Sequence, residues 1–268
     1  MKKTSIILLL TLCVGMAHAQ NDHQVSVGTM SFDTVGADTA RAVAVIDRYI
    51  KKIDFGQSKS DSVLSVVTYV VDRDYPNDTM TIYRWYKPPY YNRIEIWQSG
   101  KMEDGYHSDG LKLFRKFHTG RREWATLTPD SYYQTVLPLD IRGALYNWRS
   151  KGAEVFYAGE MTYEGSKLDR VFVCMPEVFD RYYFFEQSTG LLGLVVEENH
   201  IFGDREPAKN AVRIDWHAWH EFVPFNGYYL PREESYQVDN SQIVILSHTY
   251  RYIAPDTKIF TEDYYRHK

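Results

Sequence analysis

The stretch from Ser62 to Ala125 constrains the fold more than any other part of the chain. Apolar residues recur at every second position, and glycines fall where hairpins must reverse, at Gly100, Gly105 and Gly110. A proline-flanked segment, Lys87-Pro-Pro-Tyr-Tyr-Asn-Arg-Ile-Glu-Ile-Trp97, sits at its centre. Period two is the pattern of an amphipathic strand, because successive side chains leave opposite faces of a sheet. The run therefore predicts consecutive antiparallel strands joined by tight turns. No enzyme motif interrupts it.

The second half returns to the same pattern. Val155 to Tyr163, Leu168 to Met175, Phe179 to Glu186 and Leu191 to Glu198 read as strands, followed by three long runs, Val212 to Val223, Tyr228 to Val238 and Gln242 to Ile253. Asn226-Gly227 is the strongest hairpin signal, suited to a type I′ turn in which both central residues have positive φ. Eleven to thirteen strands are expected in all. Tyr 22, Phe 13 and Trp 6 make the chain 15% aromatic, a composition that suits half-buried pleated surfaces.

Two segments carry a helical period. After Asp38 and Thr39, either of which can cap a helix, Ala42, Val45, Ile46, Tyr49, Ile50 and Ile53 fall on one face, and Gly56 stops the pattern. The second begins near Leu139-Asp140, carries Ile141, Ala144, Leu145 and Trp148, and ends at Gly152. Eleven strands at ~4.8 Å spacing make a sheet on the order of 50 Å wide, whereas a helix of about 15 residues covers ~22 Å by ~10 Å. Two helices cannot blanket it. Yet Arg181-Tyr-Tyr-Phe-Phe185 and Leu191-Leu-Gly-Leu-Val-Val196 are apolar on both faces. The sheet must curl on itself, leaving either an apolar cavity or a fully packed barrel core.

The address is written in residues 1–19. Met1-Lys2-Lys3 is a positive n-region, Ile6 to Val14 a short apolar core, and Ala17-His18-Ala19 a signal-peptidase site, so cleavage is expected after Ala19. The core is too short to span a bilayer, which takes roughly 20 residues. The competing reading acylates Cys13, but Leu12 is bulkier than the small residue such a site prefers. Residues 20–37 lack sustained periodicity, and 38–268 are expected to form a single domain. Losing the signal's two lysines moves the formal charge from −4 to −6, against the basic stripes that nucleic acid selects. Cys174 then stands alone on a strand, without a disulfide partner, as a buried small hydrophobe.

Chemical motifs are sparse. At strand spacing His217 and His220, in Asp215-Trp-His-Ala-Trp-His-Glu221, face opposite ways, and no further ligands complete a metal site. Asp72-Arg-Asp74-Tyr-Pro-Asn-Asp78 has the acidity of a calcium loop but Asn77 at its sixth place and Tyr83 at its twelfth, so a solvated turn is expected. There is no G-x-S-x-G, no H-E-x-x-H and no phosphate-cradling glycine loop. The reading is non-enzymatic, with no metal and no cofactor.

Element order carries a resemblance. A capped first helix, strands through Lys87-Pro88-Pro89 and Arg93-Ile-Glu95, then Ser108-Asp-Gly110-Leu-Lys-Leu-Phe114, Tyr157-Ala-Gly-Glu160 and Tyr183-Phe-Phe-Glu-Gln-Ser-Thr-Gly190-Leu, resemble the periplasmic lipoprotein-carrier family (LolA/LolB-like). The resemblance spans most of the mature chain, which departs from the compact carriers in its long strands after Asp215. It implies a mainly β fold: a strongly curved, unclosed antiparallel half-barrel of 11–13 strands, with one or two helices lidding an apolar concave face. It also implies a periplasmic carrier of lipid or lipoprotein acyl chains toward the outer membrane, working with inner-membrane donor and outer-membrane acceptor proteins. No covalent chemistry, nucleic acid or stable membrane span is involved. In such a carrier Trp85, Ile94, Ile96, Phe114, Val171, Val173, Leu194 and Val196 are candidates for the cavity, and Ile46, Ile50 and Ile53 for the lid. The resemblance also implies an early-strand arginine that holds the lid through backbone carbonyls, for which Arg84 and Arg93 are the alternative candidates. The alternatives are a secreted β-sheet module that binds a protein or glycan through a tyrosine-rich surface, and an outer-membrane barrel.

Overall fold

The computed structural model describes residues 38–53, 63–77, 79–87, 91–108, 112–117, 122–126, 143–175, 179–200, 212–238, 243–253 and 257–260. The expected signal peptide 1–19, the segment 20–37, Gly56 and the prolines Pro88 and Pro89 lie outside them. The described chain is mainly β, an unclosed antiparallel sheet with one α-helix. It contains thirteen strands, at the upper end of the expected number, and divides into two compact units.

One unit joins Asp61–Leu127 to Asn240–Lys268. Its strands are β1 (Val63–Asp72), β2 (Thr79–Lys87), β3 (Tyr91–Gln98), β4 (Lys101–Ser108), β5 (Lys112–Phe117), β6 (Arg122–Thr126) and β13 (Val244–Ile253). Five successive hairpins order β1 to β6 side by side, and β13 pairs with the far edge of β1, Val63 opposite Ile253 and Asp72 opposite Val244. The Asp72 turn is closed by its own carboxylate, which accepts the Asp74 N–H at 2.9 Å. Register splits β3 between two faces. Ile94 and Ile96 lie opposite Arg84 and Ile82, while Arg93 lies opposite Trp85 and His107. On the Arg93 face a C-terminal 3-10 turn, Thr257–Phe260, packs Ile259 and Phe260 against Val63, Trp85, Tyr91 and Ile253.

The other unit contains α1 (Thr39–Ile53), β7 (Glu154–Tyr163), β8 (Ser166–Met175), β9 (Phe179–Glu186), β10 (Leu192–His200), β11 (Val212–Phe225) and β12 (Tyr228–Val238). These six strands form one antiparallel ladder in chain order. At Asn226-Gly227 both residues have positive φ, 51° and 89°, as a type I′ turn requires. Asp38 caps α1, its carboxylate accepting the Arg41 N–H at 2.8 Å. Lys51 and Lys52 close the last turn, where positive charge meets the negative end of the helix dipole. The expected apolar stripe, Ala42, Val45, Ile46, Tyr49 and Ile53, is the buried face of α1.

The second expected helix is corrected where it is described. Gly143 and Asn147 take positive φ, 77° and 54°, which a right-handed helix cannot accommodate. A single 3-10 turn, Trp148–Lys151, forms instead, ending at Gly152 (φ 72°). Leu145 and Trp148 still bury themselves in the cluster beneath α1. Leu139 to Ile141 lie outside the described residues.

Candidate functional site

The strands of the second unit are apolar on both faces, and α1 takes one of them. Its stripe packs on Val155 of β7, Val171 and Val173 of β8, Tyr183 and Phe185 of β9, and Leu192 and Val195 of β10. Tyr182, Phe184, Leu194 and Val196 turn to the opposite face and form a separate cluster with Ala158 and Leu168. The helix runs across the ladder rather than along a strand. Near its start, Asp38 bridges Tyr157 of β7, and near its end the Lys52 ammonium lies 5.7 Å from the Tyr229 ring of β12. A 15-residue helix is ~22 Å long, close to the ~24 Å that five strand intervals occupy. One helix is therefore enough to cross this face from the first strand to the last.

The helix is fastened at the rim by charge. Asp169 of β8, 6% exposed, accepts hydrogen bonds from the Tyr157 hydroxyl at 2.9 Å and the Gln187 amide at 3.0 Å. Two helix arginines reach the same carboxylate, Arg48 at 3.3 Å and Arg41 at 3.5 Å. Arg41 also pairs with Glu160 at 2.6 Å and lies 3.9 Å over the Tyr157 ring. Burial and the bond to Asp169 raise the Tyr157 hydroxyl pKa, in that order. The hydrogen bond from Arg41 holds Glu160 below the usual carboxylate range. Gly190 is required where it stands: its φ is +71°, and a Cβ there would sit 2.8 Å from Arg48 Nε.

The first unit has a fastener of another kind. The Arg93 side chain is fully buried and pairs with Glu95, itself 3% exposed. Arg93 Nε donates to Glu95 Oε1 at 3.1 Å, and Nη1 donates to the Ile259 carbonyl of the C-terminal turn at 2.7 Å. Trp97 Nε1 donates to the second Glu95 oxygen at 3.0 Å. Arg93 is thus an early-strand arginine bonded to a backbone carbonyl, and the element it holds is the C-terminal turn. Arg84 lies half-buried between Val66 and Ile94.

The sequence-derived candidates do not share one face. Val171 and Val173 lie under α1 with Ile46, Ile50 and Ile53. Leu194 and Val196 point away from it. Trp85 sits by the C-terminal turn on the Arg93 face, and Ile94 and Ile96 are buried on the reverse face. Phe114 occupies β5 opposite His107 and Trp124, and its side chain is outside the described residues. Leu192 and Val195, absent from the sequence-derived set, lie under α1 because a bulge between Leu192 and Leu194 reverses the alternation of β10. Gly193 within an apolar strand was the available signal.

His217 pairs with Glu234 at 2.5 Å and His220 with Ser235 at 2.7 Å, adjacent residues of β12 on opposite faces. Among the described residues no three metal-binding side chains gather. Cys174 is half-buried rather than buried, and desolvation, helped by the hydrogen bond with Asp180, pushes its thiol up to about 11, which leaves little thiolate for nucleophilic attack at neutral pH.

No protein-family model and no curated protein matches the sequence. Solved structures do. A LolA superfamily protein from Nitrosomonas europaea aligns with TM-score 0.58 at 12% identity, over 83% of this chain and 98% of that one. The chain has a LolA-like fold. A putative outer membrane lipoprotein-sorting protein domain from Vibrio parahaemolyticus gives TM-score 0.56 at 6% identity, over 85% and 99% of the two chains. A DUF1329 family protein from Desulfovibrio piger gives 0.55 at 10% identity, over 83% and 98%. At these identities the likeness is one of architecture: the LolA-like fold is retained while the side chains differ. No described helix is long and apolar enough to cross a membrane.

Proposed function

We propose that the protein is an exported periplasmic carrier that holds acyl chains of lipid or lipoprotein on the apolar sheet face beneath α1, without covalent chemistry, for transfer toward the outer membrane. One observation carries the reading. A single amphipathic helix crosses an apolar sheet face and is tied down at its rim by half-exposed arginines. The architectural likeness to a LolA superfamily protein and to a lipoprotein-sorting domain supports it, as does the signal-like sequence 1–19.

In this conformation α1 fills the site with its own side chains: Ile46, Val171 and Phe185 are each 0% exposed. Cargo must displace the helix. Val45, Ile46, Tyr49 and Ile53 at about 2 kcal/mol each, with about 0.8 kcal/mol from Ala42, hold α1 with on the order of 9 kcal/mol. An acyl chain returns ~0.8 kcal/mol per CH₂, so a chain of about eight carbons falls short and a diacyl cargo exceeds it about two- to threefold. The carrier should therefore select long or paired chains. Ile46, Ile50 and Ile53 act as the lid, Val171 and Val173 as the floor, and Arg93 as the residue that fixes the C-terminal turn.

The test is native mass spectrometry with lipid extraction on mature protein purified from the periplasm without detergent. Bound phospholipid or acylated protein is expected, with a C16 fluorescent fatty acid binding and a C8 analogue failing to bind. Ile50→Asp should weaken C16 binding more than it weakens folding. A protein that emerges empty and also refuses the C16 probe would overturn the carrier reading and favour a module that binds a protein or glycan partner.

A further inference from the structure

We infer that the C-terminal turn of α1 and the tip of the β11–β12 hairpin together form a docking surface for a bilayer rich in anionic phospholipid. The inference rests on the carrier reading for its purpose, but its observations are independent of the acyl site. From Phe222 to Pro231 the hairpin carries ten residues without a charge, in a chain that is 25% charged. Pro224, Asn226 and Gly227 at the tip are exposed, and Phe225 and Tyr228, paired across the last rung, are half-buried. Tyr229, 41% exposed, is one of three large hydrophobic side chains that stand out from the described surface. The last turn of α1 lies beside it, Lys52 directed at the Tyr229 ring and Lys51 exposed.

Two of the neighbouring carboxylates are engaged in pairs of their own, and Glu233, opposite Glu221 at the base of the hairpin tip, stays exposed below it. Glu221 and Arg232, at the base of the tip, pair with each other at 3.2 Å. Asp47, the one carboxylate within α1, pairs with Arg149 at 3.3 Å. The tip thus presents aromatic rings and two lysines. Tyrosine and phenylalanine rings with a polar rim partition to the headgroup layer of a bilayer, and lysines held at that depth are attracted to anionic headgroups. A protein partner of matching chemistry would need an acidic apolar groove, whereas an anionic membrane meets both features with a flat surface. The location also suits the carrier, since it brings the last turn of the lid helix to the membrane.

The experiment is cosedimentation of the full mature chain with vesicles of phosphatidylcholine alone and of phosphatidylcholine with phosphatidylglycerol. Binding is expected only to the anionic vesicles. Lys51→Gln with Lys52→Gln should weaken it about 30-fold, each lysine contributing about fivefold. Tyr229→Ser should weaken it severalfold and leave the salt dependence intact. Lys167→Gln, an exposed lysine of β8, should change nothing, and thermal melts confirm that each variant folds.

Equal binding to both vesicle types, no loss in the double variant, or an equal loss in Lys167→Gln would overturn the proposal. So would release by inorganic phosphate at matched ionic strength, which would mark an isolated anion site. Lipid extraction from the same preparation separates the two readings. A lipid-loaded protein that ignores vesicles sinks the docking surface alone. A protein that is empty, refuses the C16 probe and still binds vesicles by these residues sinks the carrier alone.

Discussion

The two units each fasten a peripheral element with arginine and carboxylate, but they do so in opposite environments. In the first, Arg93 and Glu95 are sealed from water and hold a 3-10 turn, with side-chain exposures of 0% and 3%. In the second, the carboxylate is buried and the arginines are not: the side chain of Asp169 is 9% exposed, that of Arg41 46% and that of Arg48 42%. A sealed pair has no water to replace a lost partner, so breaking it strands a charge. A half-exposed pair exchanges its protein contact for solvent with little loss. The first fastener is built to stay and the second to let go. Under the proposed carrier reading that difference suits a lid, because the polar ties of α1 release cheaply.

Glu95→Ala tests the permanent fastener and should have the largest effect. It leaves the Arg93 guanidinium buried beside Trp85 and removes the acceptor of the Trp97 indole N–H. A loss of about 3–5 kcal/mol in chemical denaturation is expected, as for other broken buried pairs. A loss under about 1 kcal/mol would mean that water reaches Arg93, and the contrast between the two fasteners would collapse.

Asp169→Asn tests the releasable one. Tyr157 and Gln187 can still bond an amide, while Arg48 loses its counter-charge and Arg41 keeps only Glu160. Stability should fall by only about 1 kcal/mol. Amide hydrogen exchange of Thr39–Ile53 should accelerate selectively, with β7 to β12 unchanged. Exchange that rises uniformly across the unit would show that α1 opens only by global unfolding and is no lid.

The frame was legible in the sequence because strand period and turn chemistry are local. The Phe179–Glu186 and Tyr228–Val238 strands were bounded as found, and Asn226-Gly227 dictated its own turn. The α1 stripe was equally plain from Ala42 to Ile53. What failed was whatever a single residue decides. Asn147 in left-handed geometry ended a helix that its apolar spacing favoured, and the bulge at Gly193 exchanged Leu194 and Val196 for Leu192 and Val195 under α1. Asp169 was missed for another reason. Its importance lies in two arginines more than 100 residues earlier and a glutamine in the next hairpin, contacts that no local pattern encodes. The Arg93 fastener was half legible: the arginine was singled out, but its attachment to the C-terminal turn joins residues 166 apart.

Glu160→Gln should give the smallest effect and sharpens the comparison most. Glu160 touches α1 through Arg41, in solvent, and that bond depresses its pKa. A depressed carboxylate contributes its stability above the unfolded pKa and loses it as pH falls through the folded one. Any difference between variant and wild type must therefore be present near neutrality and vanish under acid conditions. Because solvent screens the pair, no resolvable change in melting temperature is expected at pH 7, and α1 exchange should match wild type. An acceleration as large as that of Asp169→Asn would place the tie at the exposed rim, not at the buried carboxylate. The polar fastening of the helix would then be a surface charge pair, and ionic strength would modulate how often it opens.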